Sequence, residues 1–118
     1  MEARAALAVV AATLAWACDV AGAAEAVPGA ARQQMLVRLV RQDCGSCHGM
    51  RLTGGLGPAL TPEALHDRPL ESLVATTLHG RAGTPMPGWA SMLSESDARW
   101  IAAQLRAGFP EEAKGTAK

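Results

Sequence analysis

The stretch Cys44-Gly45-Ser46-Cys47-His48 decides how this chain is read. Two cysteines separated by two residues, with a histidine next, form the C-x-x-C-H pattern that holds a haem covalently. The spacing has a chemical reason. Two intervening residues let both sulfurs reach the vinyl groups on one edge of the macrocycle, where each forms a thioether. His48 then comes under the plane and offers its imidazole to the iron. Three other uses of the pair have different requirements. A redox dithiol of the thioredoxin kind sits in a βαβ setting, and the sequence has no strand pattern. A zinc site needs four ligands, and only His66 and His79 are left to add. A structural disulfide has no use for His48.

Composition points to one small domain. The chain has 118 residues, 49% of them hydrophobic, yet only one Phe, three Trp and no Tyr. A single core is expected at that length. Small domains ordinarily fill their cores with rings that bury about 150–250 Å² each. A haem, large, flat and apolar, would take that place here. Eleven Lys and Arg balance eleven Asp and Glu, so no basic excess marks a nucleic-acid binder.

Upstream, Glu2 and Arg4 mark a short charged start, followed over residues 5–17 by AALAVVAATLAWA. About 13 residues are too few to span a bilayer, which takes about 20. Ala21-Gly22-Ala23 and Ala24-Glu25-Ala26 offer A-x-A cleavage sites. Residues 1–24 therefore read as a secretory signal peptide that sends the chain to the periplasm. A buried Ala-rich helix would need a cap and a polar face, and the segment has neither. A lipid anchor at Cys18 would need a small residue where the bulky Trp16 stands, so soluble export is the expectation. Removing residues 1–24 takes away Arg4, Glu2 and Asp19, which leaves ten basic and nine acidic residues and only Cys44 and Cys47 as cysteines.

Beyond residue 24 the sequence predicts an all-α domain over residues 25–108, with three main helices, and a disordered tail over 109–118. Residues 29–43 read as the first helix. Met35, Leu36, Leu39 and Val40 share its apolar face, opposite Gln34, Arg38 and Arg41. Residues 49–60, GMRLTGGLGPAL, form a glycine-rich loop. Thr61 caps a short turn with Pro62 in its first position. Leu70, Leu73, Val74 and Leu78 keep helical spacing as far as Gly80, a C-terminal stop. Residues 81–89, RAGTPMPGW, are loop, because Pro85 and Pro87 flank Met86. Ser94 caps the last helix, with Ala98, Ile101 and Leu105 facing inward and Gly108 and Pro110 ending it.

An iron held by His48 needs a second axial ligand, and the candidates are Met35, Met50, Met86, Met92, His66 and His79. Met35 lies on the apolar face of the first helix and reads as core. Met50 is too close to His48 to reach the opposite side. Met92 reads as packing, and His66 and His79 lie near helix ends, where the dipole favours a solvated imidazole. Met86 differs because prolines fix the backbone on both sides and hold one side chain forward. A thioether suits a low-spin iron and raises its potential relative to a second imidazole. His48 and Met86 are the expected metal ligands, with Met92 or a histidine as the replacement.

From about residue 38 to 105 the chain resembles a class I monohaem cytochrome c. Gly57-Pro58-Ala59-Leu60 looks like the G-P-x-L element of that family. The resemblance implies that the Pro58 carbonyl accepts the Nδ1–H bond of His48, and that Leu60 packs against the haem. It also implies that Arg81, Thr84 and Trp89 bond the propionates, although Arg81 reads equally as a surface charge. Trp100 would pack the C-terminal helix on the first. More narrowly, QDCGSCHGM, GGLGPALTPEAL and GRAGTPMPGW together resemble the small cytochromes encoded with the haem d1 nitrite reductase of denitrifying bacteria, the c-55X type.

That resemblance implies a monomeric electron carrier with one haem c and no enzyme activity of its own. Its redox partner would be the nitrite reductase or a haem d1 maturation protein, with no nucleic acid and no membrane span involved. The alternative is a haem enzyme or sensor with a labile distal site, for which Arg81 alone beside Met86 supplies too little acid–base chemistry. The only lysines in the chain once residues 1–24 are gone are Lys114 and Lys118, so no lysine ring steers docking. Met50, Leu52, Leu56 and Met92 offer a candidate apolar contact instead, although packing on the haem is the favoured reading of Leu52 and Leu56.

Overall fold

Gly29 ends an extended lead-in and the chain turns helical at Ala30 in the structure, a computed structural model that describes residues 26–114. The expected signal peptide, with Cys18, lies outside the described residues, as does Lys118. Helix α1 spans Ala30–Leu39 and runs through a π turn, Val40–Cys44, into the short α2, Gly45–His48. Then follow α3, Pro62–Leu65, α4, Leu70–His79, and α5, Glu95–Ala107. All regular elements among the described residues are helical, with α1, α4 and α5 as the three long ones. None is long and apolar enough to cross a membrane.

The π turn keeps one row of side chains facing inward from α1 into α2. Leu36, Val40, Cys44 and His48 follow one another at four-residue intervals. In an α-helix four residues overshoot a 3.6-residue turn by about 40°, so such a row drifts off its face. The wider π turn within the row brings it back. Leu36 and Val40 are completely buried and His48 is 8% exposed. Two expectations about this helix are corrected. Met35 is not core but 58% exposed, and Val37 is buried instead. Arg41, expected on the solvent face, is buried.

Arg41 also reaches the segment that follows α5. Its guanidinium donates to the carbonyls of Phe109 at 2.7 Å and Pro110 at 2.9 Å, lies 5.6 Å from the Phe109 ring centre, and pairs with Glu111 at 3.2 Å. Phe109 meets Trp100 edge-on at 6.3 Å, and Glu112 bonds Arg38 at 3.2 Å. The chain is therefore docked at least to Glu112, four residues past the expected domain end. Nothing local in that segment signals order, because its anchors sit about seventy residues upstream.

Leu36 and Val40 pack with Leu52, Leu65, Leu93, Ile101 and Leu105 in the main core, and Trp100 and Phe109 border it. Between α4 and α5 the contact is Val74 against Ala98 and Ala102, small residues that let the helices approach. Ser94 caps α5 with a reciprocal capping box to Asp97. Asp97 also receives Arg32 of α1 at 2.7 Å, and Arg32 reaches the Met92 carbonyl at 3.0 Å. One carboxylate thus ties the start of α1 to the start of α5.

The Arg32 guanidinium, helped by Ser94, holds the Asp97 carboxyl below its usual range, against the opposing effect of burial. A depressed carboxylate pKa contributes stability that is present above the unfolded-state pKa and lost as pH falls through the folded one. The loss is expected below about pH 4. Asp97→Ala removes both the cap and the pair, so the thermal midpoint at neutral pH should fall by about 5–15 °C, from about 1–2 kcal/mol. Helical circular dichroism melts at pH 7 and pH 3 check this: the gap between the two proteins should narrow at the lower pH. An unchanged gap would assign the pair no role in acid stability.

Candidate haem-binding site

The helical run from α1 through the π turn delivers Cys44, Cys47 and His48 together at its C-terminal end. Cys44 is half-buried and Cys47 exposed, and both are free thiols. Burial, with Asp43 and Cys47 adding to it, pushes the Cys44 thiol up to about 11, so it is protonated at neutral pH. The loop that follows folds back and caps the helix end. Gly57 N–H donates to the Cys47 carbonyl and Gly54 N–H to the His48 carbonyl, both at 2.8 Å.

His48 is fixed by this same loop. Its Nδ1 lies 2.7 Å from the Pro58 carbonyl oxygen. A carbonyl only accepts, so Nδ1 is the donor in this bond, which leaves Nε2 as the ring atom facing away from the loop's bond. The imidazole lies against Gly57, where a Cβ would stand 2.8 Å from both Cε1 and Nδ1. Only glycine leaves room for the ring there. Leu52 holds the loop from inside, with a left-handed φ of 61° and 2% exposure. The strained backbone costs about 1–2 kcal/mol. Burying a leucine stabilises by about 1.5–3 kcal/mol, so the packing wins. Leu52 is thus core and no part of an exposed contact, whereas Leu56, for which packing is the favoured reading of the sequence, is 95% exposed.

Met86 is half-buried in the loop between α4 and α5. That loop is anchored to the end of α4 by Trp89 N–H to the Thr77 carbonyl and Ala90 N–H to the Leu78 carbonyl, both at 3.0 Å. Gly80 lets the two strands of the loop touch: a Cβ there would lie 2.6 Å from the Met86 carbonyl oxygen. Trp89 and Leu78 from this side, and Cys44 and Leu60 from the other, are half-buried and pack on one and the same core cluster. Arg81 and Thr84 are exposed beside Met86.

The remaining candidates lie elsewhere. Met50 is 67% exposed, and Met92, expected to pack, is 57% exposed. His66 and His79 are exposed at helix ends, and His66 is engaged by the Glu63 carbonyl at 2.7 Å and Asp67 at 2.9 Å. No cluster of three or more His, Cys, Asp or Glu among the described residues could hold a metal ion, so zinc finds no ligand set there. The donors fit a covalently held haem: two thiols, one imidazole with a free Nε2, and a rim of half-buried apolar side chains. What the sequence did not disclose is that the Thr84 hydroxyl accepts the Met86 N–H at 3.3 Å and donates to the Arg81 carbonyl at 2.7 Å.

Comparison with known proteins agrees with this chemistry. A family model described as "Cytochrome C oxidase, cbb3-type, subunit III" matches residues 31–105. The cytochrome c55X of Pseudomonas aeruginosa is 62% identical over 92 residues, which cover 78% of this chain and 77% of that protein. The solved structure of the c-type cytochrome NirC is 64% identical, with a TM-score of 0.68, over 69% of this chain and 95% of its own. Dihydro-heme d1 dehydrogenase NirN, solved in complex with DHE, is 38% identical with a TM-score of 0.57, over 68% of this chain but only 17% of that enzyme. With a family model spanning the helical domain and this identity over three quarters of both sequences, the chain belongs to the c-type cytochromes of the c55X kind, electron-transfer proteins that carry one covalently attached haem c.

Proposed function

We propose that the protein is an exported, periplasmic one-electron carrier, not itself an enzyme, that exchanges electrons with a protein handling haem d1. In this reading Cys44 and Cys47 would form the thioethers, and His48 and Met86 would hold the iron. Pro58 orients His48, Leu60 packs on the macrocycle, and Arg81 and Trp89 face the propionates. The haem supplies a one-electron iron couple. The observation that carries the reading is the 2.7 Å bond from His48 to the Pro58 carbonyl. It fixes ring orientation, raises ligand basicity and reserves Nε2 for the iron. With a thioether opposite, neither ligand has to leave on oxidation or reduction, which suits a carrier rather than a site that binds substrate.

The partner is argued from the relatives. A domain like this one makes up about a sixth of dihydro-heme d1 dehydrogenase, which supports pairing of this cytochrome with haem d1 chemistry. The separate chain would then serve such a protein in trans. It either passes electrons to a haem d1 nitrite reductase, or accepts them from oxidation of a dihydro-haem d1. That oxidation releases two electrons and two protons, so two molecules of the carrier are reduced per turnover.

Stopped-flow mixing tests both directions: reduced protein against oxidised nitrite reductase, and oxidised protein against the dehydrogenase with its substrate. Fast exchange is expected in at least one, and none in either refutes the assignment. Met50, Leu56 and Met92 are exposed at 67%, 95% and 57%, and the chain without residues 1–24 has near-balanced charge. The rate should therefore fall far less than a hundredfold from about 10 mM to 300 mM salt, as the Debye length shrinks from about 30 Å to under 8 Å. A larger fall overturns the weakly steered docking.

A further inference from the structure

We infer that the Thr84 hydroxyl is a positioning group for the Met86 side chain, acting through the backbone of the loop that presents it. The inference rests on Met86 as the second axial ligand. Residues 80–88 make a narrow loop with little regular structure, and Pro85 and Pro87 carry no backbone N–H. In the Pro85-Met86-Pro87 stretch the Met86 N–H is therefore the single backbone donor. Thr84 Oγ1 accepts that donor at 3.3 Å and donates its own proton to the Arg81 carbonyl at 2.7 Å. The same carbonyl accepts Thr84 N–H at 3.1 Å, and Arg81 N–H returns to the Met86 carbonyl at 3.2 Å.

One hydroxyl thus joins the beginning of the loop to its end. The prolines fix φ on either side of Met86, and the close approach at Gly80 sets the width of the loop. Gly83, with φ +74° and no atom near its would-be Cβ, adds no packing restraint. Thr84 supplies the restraint that Gly83 lacks. Its single donor is spent on the Arg81 carbonyl, so it has none left for a propionate carboxylate. The role that family resemblance gives this threonine is replaced by one inside the loop.

Without the hydroxyl, two of the four bonds that close residues 81–86 are gone, and Met86 should leave the iron more often through local opening. The test uses the haem-loaded, oxidised protein and measures how fast saturating imidazole replaces the native ligand, a rate limited by departure of that ligand. Thr84→Val keeps the β-branched shape and removes the hydroxyl, and it should raise the rate about three- to tenfold. Thr84→Ser restores the hydroxyl and should stay within twofold of the parent, and Thr84→Ala serves if the valine variant fails to fold.

A rise below threefold in the hydroxyl-free variants overturns the proposal. So does a serine variant that behaves like valine, since the methyl would then be the active group. A purely structural role would lower the global melting point and leave the imidazole rate unchanged well below it. A propionate contact would move the pH dependence of the potential and not the rate. Met86→Ala separates this from the underlying assignment: if it binds imidazole no faster than the parent, Met86 is not the ligand and that reading fails, whatever Thr84 does.

Discussion

Cys44→Ser and Cys47→Ser are expected to leave the exported chain without a normally matured haem, each with near-complete loss of haem content. A serine hydroxyl does not form the thioether, so one edge of the macrocycle is untied in each variant. The consequence reaches the fold. The described core holds a handful of large aliphatic side chains from Leu36 to Leu105, and Leu60, Leu78 and Trp89 border it half-buried. A small domain with so few aromatic rings is expected to lack the buried area to hold itself together without the cofactor. The variants should therefore lose most of their helical circular dichroism as well as their visible absorption. Intact-mass spectrometry of the exported parent checks the premise: a bare polypeptide mass sinks the attachment at Cys44 and Cys47, and so does full haem content in either variant.

The attachment motif was legible in the sequence because its meaning depends on local spacing alone. Helix ends were legible for the same reason. Ser94 with Asp97, Thr61 with Pro62, and Gly80 act within a few residues of themselves. Register was not. The sequence reading puts Met35 in the core and Arg41 in water, but the buried face runs through Leu36, Val37 and Val40, which leaves Met35 outside and brings Arg41 in one turn after Val37. A π turn has no local sequence signature, since it exists to bring Leu36, Val40, Cys44 and His48 to one side. Long-range ionic ties were equally hidden. Arg32 meets Asp97 across 65 residues, and Arg41 gathers the carbonyls of a tail that reads as disordered on composition.

Met86→Ala should keep the haem attached and lower its reduction potential by on the order of 100 mV or more, since axial ligation tunes haem potentials over a wide range. The direction follows from donor strength. A thioether donates weakly and favours the ferrous state over the ferric, so replacing it with water or a stronger donor stabilises the oxidised iron. The weak red absorption of a thioether–iron bond should vanish, and carbon monoxide should bind the reduced variant readily while the parent resists it. These readouts discriminate among the methionines because the structure separates them. Met50 and Met92 lie exposed at 67% and 57%, whereas Met86 is half-buried between two prolines and tied at both backbone polar atoms. A ligand held in that way needs little rearrangement between oxidation states, which keeps electron exchange fast. If Met86→Ala leaves potential and spectrum as they are, the ligand is Met92 or a histidine, and the prolines on either side of Met86 serve the loop alone.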